Sequence, residues 1–187
     1  MNKNEQAKLY YMYMMADGEV LSEEKKLFSS ICKELEIENT VKESIIEDCN
    51  KIWSDNHLSC IDLIKKNVAE DNYFYWGDIL NLNLRTYDSE KASVLWNLIN
   101  LGYADKCFTC DEKEVVDFLR EYWEIEKSLY QEMIDVAETI LSLEKHKKWV
   151  KDTISEYDLK RAKLNQIDKD IKFTQETIKT TIAEYNL

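Results

Sequence analysis

The chain of 187 residues contains no proline and only three glycines. Sandwiches, barrels and parallel sheets spend those residues on frequent turns, so their scarcity argues against a strand-rich fold. Long helices joined by few connections need neither, and the abundance of Leu, Ile, Glu and Lys completes an all-α reading. No apolar run approaches the ~18 residues of a membrane span. Residues 1–15 carry three tyrosines with Met12, Met14 and Met15, but lack the basic start and small-residue cleavage site of a signal peptide. The expectation is a cytoplasmic protein with no membrane insertion.

Positive charge is also scarce. Lys and Arg number 25 against 37 Asp and Glu, a formal charge of −12. The longest basic run, Lys145-His146-Lys147-Lys148, sits among glutamates. Direct nucleic-acid binding is therefore disfavoured; the acidic surface keeps the chain soluble or meets a basic partner. Five cysteines, an odd number, fit a reducing compartment better than a disulfide framework. Neither a glycine-rich phosphate loop, a nucleophile elbow nor an HExxH motif is present.

What the chain does contain is an internal duplication. Residues 16–25, beginning Ala16-Asp17-Gly18, return 88 positions later as residues 104–113, beginning Ala104-Asp105-Lys106. The register persists through Leu27/Val115, Phe28/Val116, Ile31/Leu119, Leu35/Trp123 and Ile37/Ile125, with six identities in 22 positions. Such self-similarity reports architecture more strongly than any single motif.

Each copy reads as helix–turn–helix, with residues 5–40 expected to match residues 93–128. Helix one should run from about Asn4 to Met15, where Asp17-Gly18 supplies turn chemistry. Ser22 is the expected N-cap of helix two, Glu23 and Glu24 complement its dipole, and Leu27, Phe28, Ile31 and Leu35 form its buried face. Asn39 or Thr40 should start a third helix through Trp53, and Asp55 or Asn56 a fourth through Leu58 and Val68. Asn72–Tyr87, with Tyr73-Phe74-Tyr75-Trp76 and Gly77, reads as a short helix with irregular flanks. Asp88 or Ser89 caps the counterpart of helix one, and a helix from about Asp111 to Trp123 mirrors helix two.

From Glu126 onward Leu129, Val136, Leu143, Val150, Tyr157, Leu164, Ile171, Ile178 and Tyr185 recur every seven residues. This predicts a long helix with a coiled-coil-like seam, or a helical hairpin. Breaks are expected at Lys145–Lys148 or Ser155–Asp158. We divide the chain into a helical domain, 1–145, and a coiled-coil-like extension, 146–187. If the extension projects, Leu164, Ile171 and Ile178 are its partner-binding or self-association residues.

The pattern Ala16-Asp17-Gly18-x-Val20-x-Ser22-x-Glu24, echoed by Ala104, Asp105, Phe108 and Glu112, resembles the TerB family, named for a bacterial tellurite-resistance protein. The similarity covers roughly residues 5–145. It implies an all-helical bundle with two pseudo-repeated halves around Asp-Gly turns. It also implies association with stress responses and anti-phage defence, acidic metal-binding clusters, and a role as an interaction or sensor module. Lys106 and Cys107 depart from the pattern, where the first copy has Gly18 and Glu19.

Two readings of the acidic turn stay open. In one, Asp17 merely initiates a turn and Glu23-Glu24 complement a helix dipole. In the other, Asp17, Glu19 and Glu24 hold a hard divalent cation, Ca or Mg, with loop carbonyls and water. Asp105 and Glu112 are the weaker second set, because Lys106 would repel a cation. The turn does not match the EF-hand template. No cofactor is required on either reading. Cys107-Phe108-Thr109-Cys110 lacks the further ligands of a zinc site and reads as incidental loop cysteines, with a redox pair as the alternative. His57 and His146 read as surface residues. The Tyr10–Met15 and Tyr73–Trp76 groups read as core, or as a partner patch if exposed.

The expected function is thus a non-enzymatic protein-interaction module in a stress or defence system. A divalent-cation sensor is the alternative. A carboxylate-based hydrolase is the third reading, and it would need a cleft beside Asp17 or Asp105.

Overall fold

The computed structural model describes residues 1–55, 58–70, 84 and 88–185, with backbone only for residues 67–70, 88 and 89. Among the described residues it is entirely helical: α1 Lys3–Met14, α2 Ser22–Glu34, α3 Asn39–Asp55, α4 Cys60–Glu70, α5 Asp88–Gly102, α6 Cys110–Tyr122, α7 Lys127–Thr153 and α8 Tyr157–Tyr185. The chain forms two compact units, Met1–Glu124 and Ile125–Leu187. The division falls about twenty residues before the expected boundary at 145/146, because all of α7 belongs with α8. Asn56 and His57 lie outside the described residues, as does the short helix expected around Tyr73–Trp76 and Gly77.

In the first unit α1 is the central helix. Residues 9–14 are all buried, which explains why this segment has no polar stripe: it is surrounded by α2, α3, α5 and α6. The Tyr10–Met15 group is therefore core. Two of its hydroxyls find partners within the unit, with Asn97 Nδ2 donating to the Tyr10 hydroxyl at 3.1 Å and the Tyr11 hydroxyl donating to Asn50 Oδ1 at 3.2 Å. The packing is reciprocal. Helix α2 lies on α1 and on α5, while α6 lies on α5 and on α1. Each outer helix thus covers its own partner and the partner's counterpart.

The 88-residue offset extends to the backbone. Helices α2 and α6 coincide end to end under it, and α1 and α5 end together at Met14 and Gly102. All the positive-φ residues described fall into two pairs, Gly18 (90°) with Lys106 (76°) and Glu36 (58°) with Glu124 (56°). The last pair marks left-handed C-terminal caps, the usual way to close a helix. Turn hydrogen bonds repeat as well: Gly18 N to Met15 O matches Lys106 N to Tyr103 O, both 3.0 Å. The register runs further than sequence similarity suggests, because α7 starts 88 residues after α3. Buried Ile45 and Cys49 on α3 match buried Met133 and Ala137 on α7.

Three helix starts differ from expectation. Ser22 is the first helical residue of α2, and Leu21 occupies the N-cap without a side-chain acceptor. Cys110 is likewise the first residue of α6, and Thr109 is the cap. Helix α4 begins at Cys60, since α3 retains Asp55; Ser59 accepts from Asp62 N–H at 3.2 Å.

The second unit is an antiparallel hairpin closed by residues 154–156. The Ser155–Asp158 break is present, whereas α7 runs unbroken through Lys145–Lys148. That run is held by buried Val150 and by ion pairing of Lys147 with Asp168 at 2.5 Å across the hairpin. Val150, Ile167 and Ile171 form a cluster against Ile140, Leu143, Ile154 and Leu164. Ile178 is fully buried and Ile182 nearly so. Leu164, Ile171 and Ile178 are therefore interior contacts of the hairpin and not an exposed partner-binding row; the seven-residue line is satisfied by folding back. The exceptions are Tyr157, which is 71 % exposed at the turn, and Tyr185, which is 39 % exposed at the end of α8.

Candidate functional site

Each acidic turn is built by the same local chemistry. Asp17 Oδ1 accepts from Glu19 N–H at 3.0 Å, and Asp105 Oδ1 accepts from Cys107 N–H at 2.8 Å. A short carboxylate two residues before a free amide is well placed for this turn. Glu24 and Glu112 then reach back to the amides preceding their own helices. Glu24 Oε2 accepts from Leu21 N–H at 2.6 Å, and Glu112 Oε2 from Thr109 N–H and the Thr109 hydroxyl, both at 2.8 Å. Thr109 Oγ1 in turn accepts from Glu112 N–H at 3.3 Å, completing a reciprocal capping box. Leu21 cannot return that bond, so the first copy has half the device.

The fold brings the two turns together. Glu24 and Glu112 are each only 4 % exposed. Burial, then the charges of Glu112, Asp17 and Asp105, raise the Glu24 carboxyl to about 7, against partial relief from the Leu21 amide. Glu112 is raised by burial and by the same two aspartates, despite its bonds to Thr109. Asp17, Glu24, Asp105 and Glu112 thus form one quartet, whereas the sequence pointed to two separate loops. Glu19 is exposed, and its contact with the turn is its backbone N–H. Lys106 of the second turn acts on Glu23 of the first, so the electrostatic asymmetry expected between the loops is shared across them.

Among the described residues no group of three or more His, Cys, Asp and Glu could hold a metal ion. Every carboxylate of the quartet already accepts a hydrogen bond from its own turn. A carboxyl near 7 lies in the range useful for general acid–base work, and one oxygen of buried Glu24 is committed to closing its helix. A surface depression of about 440 Å³, lined by Ser29, Cys32, Lys33, Ile37 and Lys42 among others, contains none of the quartet.

Cys107 and Cys110 are exposed, while Cys32, Cys49 and Cys60 are buried. Burial pushes the Cys32 thiol up to about 11 and those of Cys49 and Cys60 to about 12. Between the exposed pair, Phe108 packs on Tyr103 with ring centroids 4.9 Å apart. His146 is exposed and lies 5.8 Å from the Trp149 ring.

No family model matches the chain, and no curated protein or solved structure matches it. The site must be read from its own geometry.

Proposed function

We propose that this chain is a non-enzymatic, TerB-like protein-interaction module acting in the cytoplasm within a bacterial stress-response or anti-phage defence system. The observation that carries the reading is the occupation of the acidic quartet. Asp17, Asp105, Glu24 and Glu112 each commit one oxygen to closing two turns, so the quartet serves as a structural hub and the surrounding surface does the recognising. The net charge of −12 favours a basic partner.

The test is reconstitution. A protein co-purified with the tagged chain from stressed cells is expressed alone, and its binding to the chain is measured by calorimetry. A stoichiometric complex without chemical turnover supports the module. Turnover of a substrate by the isolated chain, or no stoichiometric complex with any co-purified protein, refutes it.

A cation-sensing role is the second reading, favoured by the burial of Glu24 and, after it, the charges of Glu112, Asp17 and Asp105, which together make it hard to ionise. A divalent cation would relieve the repulsion among those charges through the carboxylate oxygens that the turn amides do not occupy. Titration with Ca²⁺, Mg²⁺ and Zn²⁺ separates the readings: saturable binding lost in both Asp17→Asn and Asp105→Asn supports a shared sensor site, and no heat of binding removes it.

A further inference from the structure

We propose that the closed end of the α7–α8 hairpin docks onto the anionic surface of a lipid bilayer. The hairpin brings together two basic segments that are separated in sequence. Residues 145–163 contain seven Lys and Arg against three Asp and Glu, a net +4 in a chain of −12. Lys147 is taken by Asp168, but Lys148, Lys151, Arg161 and Lys163 are exposed. A sequence scan sees only the first run, set among glutamates; folding back at residues 154–156 adds the second.

The same end exposes apolar groups that the hairpin core does not use. Trp149 is 53 % exposed, Tyr157 71 % and Leu159 44 %. Their neighbours Val150 and Ile154 make the interior contacts, so these three are not held out by a packing requirement. Indole and phenol rings favour the headgroup layer, where an apolar body and a polar edge are both satisfied. Clustered Lys and Arg are drawn to anionic headgroups at roughly 1 kcal/mol each. An end that exposes Trp149, Tyr157, Leu159 and four cations, with Asp152, Glu156 and Asp158 outnumbered among them, suits a planar interface. A single-stranded nucleic acid would instead call for a groove tracking its backbone, and Leu159 has no part in base stacking.

Within the hairpin, acidic residues such as Glu126, Glu132, Glu176 and Glu184 belong to the opposite end. Helix α7 is 27 residues long, about 40 Å at 1.5 Å per residue. The far end of the hairpin is therefore several screening lengths, each about 8 Å, from the surface. Among the described residues no helix is long and apolar enough to cross a membrane, so the contact is peripheral.

The experiment is vesicle co-sedimentation of the full chain, with phosphatidylcholine vesicles compared with the same lipid doped with phosphatidylglycerol. Binding is expected only to the doped vesicles, weakening as salt rises. Lys148→Glu/Lys151→Glu/Arg161→Glu should reduce it by about 100-fold or more. Trp149→Ser/Tyr157→Ser should reduce it while retaining the salt dependence. Both variants alter exposed positions, and retained helicity by circular dichroism verifies their fold. Equal binding to both lipids, no binding to either, or no effect of charge reversal overturns the proposal. So does tighter binding to a labelled oligonucleotide, or salt-sensitive self-association through the same residues in place of vesicle binding.

Discussion

Acidification should stabilise this protein across a window where many proteins change little, and Glu24 supplies the reason. Its carboxyl is raised from 4.5 to about 7 in the folded chain by burial and by Glu112, Asp17 and Asp105. A raised folded value means that the native state holds the proton more tightly. The associated stability is fully present below about 4.5 and is lost as pH rises through about 7. A shift of that size corresponds to at most about 3 kcal/mol, and water reaching the exposed Asp17 side of the turn reduces it to about 2 kcal/mol. Between pH 5 and pH 8 the thermal midpoint should then fall by about 4–8 °C. Glu112 acts in the same direction. Glu23 and Glu36 are lowered instead, by Ser22 and Lys3 respectively, so their contributions are lost only as pH falls, below this window. Glu24→Gln keeps an oxygen for the Leu21 amide but removes the charge, and it should be more stable than the parent at pH 8 and little different at pH 5. Circular dichroism melts at constant ionic strength provide the assay. Parallel pH profiles for parent and variant, or a variant less stable at pH 8, would refute the quartet argument.

The repeat makes three further outcomes specific. Thr109→Ala removes the hydroxyl half of the capping box and should cost about 1 kcal/mol in urea unfolding, whereas Leu21→Thr supplies the missing acceptor and should gain a similar amount. Lys106→Gly should stabilise by up to about 1 kcal/mol, since a side chain at φ 76° is strained. Gly18→Lys should destabilise although open space surrounds that position, because the cost lies in the backbone; equal effects of the two changes would contradict this. Ile178→Ala should cost about 2–5 kcal/mol, because the side chain is fully buried. A neutral result in thermal unfolding would remove it from the hairpin interior.

Helical class was legible because it follows from composition: without proline and nearly without glycine, few turns are available. The duplicated turn was legible as well, down to Asp17 and Asp105, because an Asx turn is local chemistry. Ser22 misled because any Ser before two glutamates resembles a cap. The amide that Glu24 captures belongs to Leu21, and only the Thr109 counterpart reveals that alignment. The quartet was out of reach, since Glu24 and Asp105 are 81 residues apart and meet only through packing of α2 and α6 around α1 and α5. The period-seven line from Leu129 to Ile178 marked a seam but not its occupant. A hairpin and a dimer demand the same spacing, and the turn at residues 154–156 decides between them.

The third helices of the two copies are unequal. Helix α3 spans 17 residues and α7 spans 27, so the ten residues after Leu143 have no counterpart in the first copy. The basic aromatic end lies wholly in material that only one copy possesses. The acidic turns are tied to each other, and an alteration in one changes the ionisation of the other; they can drift only in concert. The extra helical length answers to no twin. Duplication has left this protein with a coupled pair of turns that resists change and a hairpin end free to be rewritten.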